Sequence, residues 1–330
     1  MSRAEIRAEI VGTGRYLPER VFTNADMERL VETSDEWIRE RTGIRERRIA
    51  EEGTTTAGMG LEAAREALAD AGVTPEEVDV LMVSTATPDR WLPSTACELQ
   101  AALGTHNAFA FDLHAACSGF LYNLSMAEGY LALGKGDVAL VVATELMSGI
   151  LNWEDRATCV LFGDGAGAAV LRRSEGERGI VSHHFGSDGT LAGLLHRPAG
   201  GIRKPLDQEG LLKREHMVQM AGREIFKSAV RAMCDASAHA LEKAGITGDD
   251  VDLMVPHQAN MRILEATARY AKIPMDRVYV NLDRYGNMSS ASIPVALDEC
   301  LREGRIQPGD TVLSPAFGAG LTWGATVFQF

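Results

Sequence analysis

The chain has 330 residues, 45% hydrophobic and 24% charged, and a formal net charge of −13, a globular composition without the basic footprint of a nucleic-acid binder. No run approaches the roughly 18–20 apolar residues of a membrane span, and Met1 to Ile10 lacks the apolar core of a signal peptide. Its five cysteines show no CxxC and no metal-ligand spacing, so neither a disulfide framework nor a zinc site is expected, and a reduced, cytoplasmic enzyme is the natural reading.

In chain order, Leu61, Ala64, Leu68 and Ala71 mark one face of an amphipathic helix that stops at Gly72. Thr74-Pro75-Glu76-Glu77 then has the pattern of a capping box, and an apolar strand is predicted from Val78 to Val83. A further strand, Phe109 to Leu113, ends abruptly before Cys117, and a long apolar-periodic helix runs from Phe120 to about Leu133. This places Cys117 at the first turn of a buried helix, where unpaired N–H groups and the helix dipole favour a thiolate. Ala115, Ala116, Ser118 and Gly119 leave room for a carbonyl to reach the sulfur. A buried structural cysteine is the alternative that this turn alone leaves open.

Gly136-Asp137 precedes a strand at Val138–Val142. Gly163-Asp-Gly-Ala-Gly167 superficially looks like a dinucleotide loop, but a strand at Ala168–Leu171 follows it, whereas that loop must open a helix. Its glycines are better read as close backbone packing. The charged, strand-poor stretch Arg172 to Arg178 is the expected boundary between two halves, residues 1–175 and 176–330. The segment from His183 to His216, rich in Gly and Pro, reads as a long functional loop.

The second half repeats the first. Ala240-Leu-Glu-Lys-Ala-Gly-Ile-Thr-Gly-Asp-Asp-Val-Asp-Leu-Met-Val255 echoes Ala67 to Met82, and Gly309-Asp310 before Thr311–Leu313 echoes Gly136-Asp137. Ile225, Ala229, Met233, Ala236 and Ala240 form the matching helix face, closed by Gly245, and Val251–Val255 the matching strand. Alternating strands and helices imply an α/β architecture with strands buried on both faces. His257 follows the second strand directly, where side chains project into the ligand crevice of α/β proteins. Asn287 lies in Tyr285-Gly-Asn-Met-Ser-Ser-Ala-Ser292, a turn that opens a helix at Ile293–Glu303. By the repeat offset Ser290 is the counterpart of Cys117, so both turns would face one shared site. Phe317-Gly-Ala-Gly-Leu-Thr-Trp-Gly324 could aim backbone N–H groups at an oxyanion or simply turn the chain.

Taken together, Ala-Cys117-Ser-Gly, His257-Gln-Ala-Asn260 and Gly-Asn287-Met-Ser-Ser resemble β-ketoacyl-acyl carrier protein synthase III, the initiating condensing enzyme of fatty acid synthesis. The resemblance covers essentially the whole chain. It implies the thiolase fold, two duplicated βα halves in a layered α-β-α-β-α arrangement, and a homodimer. It implies a catalytic triad of Cys117, His257 and Asn287, with the third residue separating the chain from thiolases and elongating synthases. The backbone N–H groups of Cys117 and Ala319 would form the oxyanion hole. Trp37 would stack on the adenine of coenzyme A with Arg156 on its other face, Arg41 would meet the phosphates, and Gly222, Phe226 and Asn260 would line the pantetheine tunnel. No tightly bound cofactor and no metal are implied.

Three positions depart from the family pattern: His114 replaces a small residue, Ala319 a glycine, and Leu92 an aromatic residue that often bounds the primer pocket. The implied reaction is acylation of Cys117 by a short acyl-CoA, then decarboxylative Claisen condensation with malonyl-acyl carrier protein to give the 3-oxoacyl product. Docking of the acidic carrier protein would use Lys227, Arg262 and Arg269, which read equally well as solvated charges. Two alternatives stay open: an acyltransferase or condensing enzyme of secondary metabolism using the same thiol, and a non-catalytic dimeric scaffold subunit. Primer length and branching are not determined by these motifs.

Overall fold

The structure is a computed structural model that describes residues 7–174, 176 and 178–330. The first sheet has the strand order Arg7–Tyr16, Gly165–Ser174, Val138–Glu145, Val80–Ser84, Phe109–Leu113. Its first two pairings are antiparallel and its last two parallel. The second sheet runs Gly179–Ser187, Thr322–Gln329, Thr311–Gly318, Leu253–Met254, again antiparallel twice and then parallel. A parallel bridge from Met254 to Val278 stands where Phe109–Leu113 stands in the first sheet. The halves therefore share one topology, and their matching elements keep a constant sequence offset. Val138–Glu145 corresponds to Thr311–Gly318, and the turn Ala116–Ser118 to Ser289–Ala291.

Two helices fill the space between the sheets. Gly119–Ala132 and Ser292–Arg302 share one core, in which Phe120, Leu124, Val295 and Leu297 meet Val141 of the first sheet and Val312 of the second. Outside, Thr56–Ala71 covers the first sheet and Gly222–Ala244 the second, completing five layers. Helices on both faces bury every residue of Val80–Ser84 and Val138–Glu145, which is why these strands read as unbroken apolar runs.

Gly72 and Gly245 end their helices in the left-handed conformation, and Thr74 and Glu77 form the expected capping box. The face of Thr56–Ala71 differs in detail. Met59, Ala63, Ala64, Ala67 and Leu68 are buried, whereas Leu61 and Ala71 are only half-buried. The strand expected over Val251–Val255 is only Leu253–Met254, because its extent is set by pairing with Val312 and Leu313 and not by its own apolar run. Val255 N and His257 N nevertheless still donate to Leu313 O and Pro315 O at 2.9 and 2.8 Å, so the chain tracks its neighbour as far as the histidine.

The boundary stretch is less strand-poor than its charge suggested, since Arg172 to Ser174 extend the strand Gly165–Ser174. Glu175, where the division between the halves was placed, lies outside the described residues. His183–Ser187 belongs to a strand rather than to the long loop, which is further broken by Gly189–Leu194 and Gln208–Leu212. The glycines at 163–167 lead into a strand, as expected. A Cβ on Gly167 would come within 2.8 Å of Val295 N, so this strand meets the central helix backbone to backbone.

Candidate active site

Both turns expected to face a shared site do so. Each begins with a residue pushed into a positive φ, Ala116 at 46° and Ser289 at 49°, and each opens one of the two central helices. Cys117 is 8% exposed, and its S–H donates to Ser289 Oγ across 3.5 Å. Burial pushes the thiol up to about 12, with the nearby Glu145 adding to the rise and the Ser289 bond opposing it. The sequence argument expected a resting thiolate. Here desolvation of the charged sulfur outweighs the helix terminus, and the resting group is a thiol.

His257 is held by its own backbone bond to Pro315 and is 1% exposed. Its Nδ1 has no hydrogen-bond partner, and burial lowers the imidazole to about 3, so it is neutral at physiological pH. Asn287 is pinned from both sides of its peptide, with its N–H donating to Leu161 O and its carbonyl accepting from Gly163 N. Its Oδ1 accepts from Ser289 N at 2.8 Å. That bond orients the amide and leaves Nδ2, a donor, for the site.

Cys117, His257 and Asn287 line one narrow cavity of about 110 Å³, together with Gly222, Phe226 and Asn260. A larger cavity of about 470 Å³, mostly apolar, meets it at Cys117 and Phe162. Trp91, His114, Met147, Ile150 and Ala319 are among its walls. Leu92 does not line either cavity and is 86% exposed, while its neighbour Trp91 does line one. Beside Ala319, a Cβ on Gly318 would stand 2.8 Å from Cys117 N. The backbone of the Phe317–Gly324 turn therefore abuts the nucleophile turn directly.

Towards the surface, the Arg156 guanidinium lies 4.7 Å from the centroid of Trp37 and donates to Glu32 O. The two groups expected to sandwich an adenine thus face each other directly. A ring between them needs roughly 3.5 Å on each side, so the pair must open to admit one. Asn260 caps the helix Met261–Ala271 and donates to Arg41 O at 2.9 Å, tying that helix to Asp35–Thr42. Arg41 is exposed, as are Lys227, Arg262 and Arg269, and Arg262 covers the ring of Phe226 at 5.3 Å. None of these four forms a side-chain ion pair among the described residues, which also contain no cluster able to hold a metal ion and no helix able to cross a membrane.

Two polar residues at the site escaped the sequence reading. Ser289 bridges Cys117 to Glu145, and Glu145 is wholly buried at the end of an apolar strand. A charged residue closing a run such as Val138–Thr144 was the available signal.

Comparison with known proteins agrees with this geometry. Family models described as 3-oxoacyl-(acyl-carrier-protein) synthase III match residues 111–189, and the corresponding C-terminal model matches 241–330. A synthase III of Symbiobacterium thermophilum is 53% identical over 321 residues, 97% of each chain. One from Caldanaerobacter subterraneus is 50% identical over 326 residues, 99% of this chain and 98% of its own. The crystal structure of the Aquifex aeolicus 3-oxoacyl-(acyl-carrier-protein) synthase III superposes with a TM-score of 0.91 at 47% identity, covering 98% of this chain and 100% of that one. The fold is that of a thiolase-fold condensing acyltransferase. Within that class the chain belongs to the β-ketoacyl-(acyl-carrier-protein) synthase III family, whose reaction is the initiating condensation of fatty acid synthesis.

Proposed function

We propose that Cys117 is the acyl-accepting nucleophile of this reaction and that His257 and Asn287 serve its decarboxylation step. The observation that carries this reading is the single cavity onto which all three side chains open, with the Asn287 amide already oriented as a donor. A short acyl-CoA enters along Phe226 and Asn260, Cys117 attacks its thioester, and coenzyme A leaves. Malonyl-acyl carrier protein follows by the same route. Loss of CO2 leaves an enolate whose oxygen accepts hydrogen bonds from His257 and Asn287, and the carbanion attacks the acyl-Cys117 carbonyl. That second oxyanion sits between the N–H groups of Cys117 and Ala319, each such donor worth about 2.7–4 kcal/mol of barrier. A neutral His257 suits this role, because its proton is then a hydrogen-bond donor and not a buried charge.

The larger apolar cavity beside Cys117 is the proposed primer pocket, with His114 on its rim. Trp37, Arg41 and Arg156 take the nucleotide once the Trp37–Arg156 pair opens, and no tightly bound cofactor takes part. Residues 1–175 and 176–330 are the proposed halves. The enzyme works as a cytoplasmic homodimer, a reading supported by exposed apolar side chains such as Trp91, Leu92 and Ile202. Lys227, Arg262 and Arg269 form the proposed landing patch for the carrier protein.

Intact-protein mass spectrometry after mixing with acetyl-, isobutyryl- and octanoyl-CoA tests the nucleophile. A mass gain on the wild type and none on Cys117→Ser is expected, and the best-loading acyl group reports the primer. An equal gain on Cys117→Ser would refute the assignment.

A further inference from the structure

Glu145 has no role in the mechanism above, yet its position is unusual. It is fully buried, and both carboxylate oxygens meet only donors. Oε1 accepts from Ser289 Oγ at 2.9 Å, Ser290 Oγ at 2.8 Å and Ser290 N at 3.4 Å. Oε2 accepts from Ala86 N at 2.9 Å, Thr87 Oγ at 3.0 Å and Thr85 Oγ at 3.4 Å. No cation is among these partners, so a carboxylate charge is kept in the core by hydrogen bonds alone, a costly arrangement to maintain without a use. By the repeat offset Glu145 stands where the second half has Gly318, each the last residue of its strand. It therefore reaches from the first half to the turn Ser289–Ala291 of the second, directly behind the nucleophile.

The contacts form a directed chain. With Ser289 O–H committed to Glu145, the Ser289 oxygen turns a lone pair to Cys117 and accepts its S–H across 3.5 Å. We propose that Glu145, acting through Ser289, holds the proton that leaves Cys117 for as long as an acyl group occupies the sulfur. As sulfur bonds to the acyl carbon, its proton passes to Ser289 Oγ and the Ser289 proton passes to Glu145 Oε1. The carbonyl carbon releases coenzyme A as its thiolate, which takes a proton from water. Glu145 is then a neutral acid, and no charge is left behind the nucleophile turn. In the second step the carbanion attacks, the tetrahedral intermediate expels the Cys117 thiolate, and the proton returns along the same path. Burial raises the proton affinity of the carboxyl, consistent with a group able to hold a proton between steps.

This inference rests on Cys117 being the acylated residue, and the test separates the two. The wild-type enzyme is loaded with isotope-labelled acetyl-CoA, loading is verified by mass, and an infrared difference spectrum is taken between acyl-enzyme and free enzyme. Loading should bring a protonated-carboxyl band and the loss of a carboxylate band. Both changes should vanish in Glu145→Gln and in Ser289→Ala, with acylation about 10²-fold slower in each. Full loading without the acid band overturns the relay alone, as does a band that persists in Glu145→Gln. Absence of any loading overturns the nucleophile assignment and the relay with it. The wild-type spectrum decides the matter even where a variant fails to fold.

Discussion

His257 carries a consequence for stability. In the unfolded chain it titrates near its ordinary 6.5, and in the fold near 3, because burial disfavours the cation. Between those values the unfolded state binds the extra proton, so stability is full above about 6.5 and falls as pH drops toward 3. The slope approaches about 1.4 kcal/mol per pH unit. Urea unfolding at about pH 7.5 and about pH 5.5 should show the wild type losing about 1.4 kcal/mol more than His257→Gln. Equal losses would mean that the imidazole is protonated in the folded state. At the same scale, the position of His257 was legible because it follows an apolar strand into the crevice, and that of Cys117 because its small-residue turn opens a buried helix. Their protonation states were not, because desolvation depends on everything packed around them.

Elements fix the distances in the site through close backbone approach. Gly318 ends the strand Thr311–Gly318, and a Cβ there would lie 2.8 Å from Cys117 N and 3.0 Å from Ala115 O. Gly318→Ala should cost about 1–3 kcal/mol of stability. It should also slow Cys117 acylation by well over tenfold, since it displaces the nucleophile turn itself. Gly14→Ala makes the contrast, because its Cβ would meet Ala63 O of the outer helix at 2.4 Å, far from the site. It should lower the melting temperature while leaving the acylation rate of folded protein intact. Stopped-flow acylation and thermal unfolding of both variants check this, and equal acylation losses would contradict it. Helix caps and strand–turn–helix order were readable because they depend on local residues. The shortened strand at Leu253–Met254 was not, because its ladder is completed by a neighbour some sixty residues along the chain, as in the bond from His257 N to Pro315 O.

At the scale of the whole molecule, the chain carries a net charge of −13, so its long-range interaction with an acidic carrier protein is repulsive unless a local patch reverses it. Lys227, Arg262 and Arg269 provide the proposed patch on two helices that pack together, Gly222–Ala244 and Met261–Ala271. Arg262 also covers Phe226, so Arg269→Glu is the cleaner reversal. It should raise KM for malonyl-acyl carrier protein about tenfold, in a salt-sensitive way, and leave acyl-CoA loading unchanged. Equal damage to both half-reactions would remove the patch from the mechanism. The duplication also explains why each chain builds one site. At the positions matching Cys117, His257 and Asn287 the other half has Ser290, Ser84 and His114, and Ser290 is tied to Glu145.

The sequence by itself determined the α/β architecture, the duplication, the turns carrying Cys117 and Asn287, and the strand end carrying His257. Periodicity, capping and turn chemistry are local, and a repeat is visible wherever it is written twice. Only the tertiary structure decided that Ser289 and Glu145 stand behind the nucleophile, that Asn287 presents its amide nitrogen, that Trp37 and Arg156 meet face to face, and that the thiol is neutral at rest. Each of these depends on groups distant in the sequence meeting in space, and no local pattern encodes that meeting.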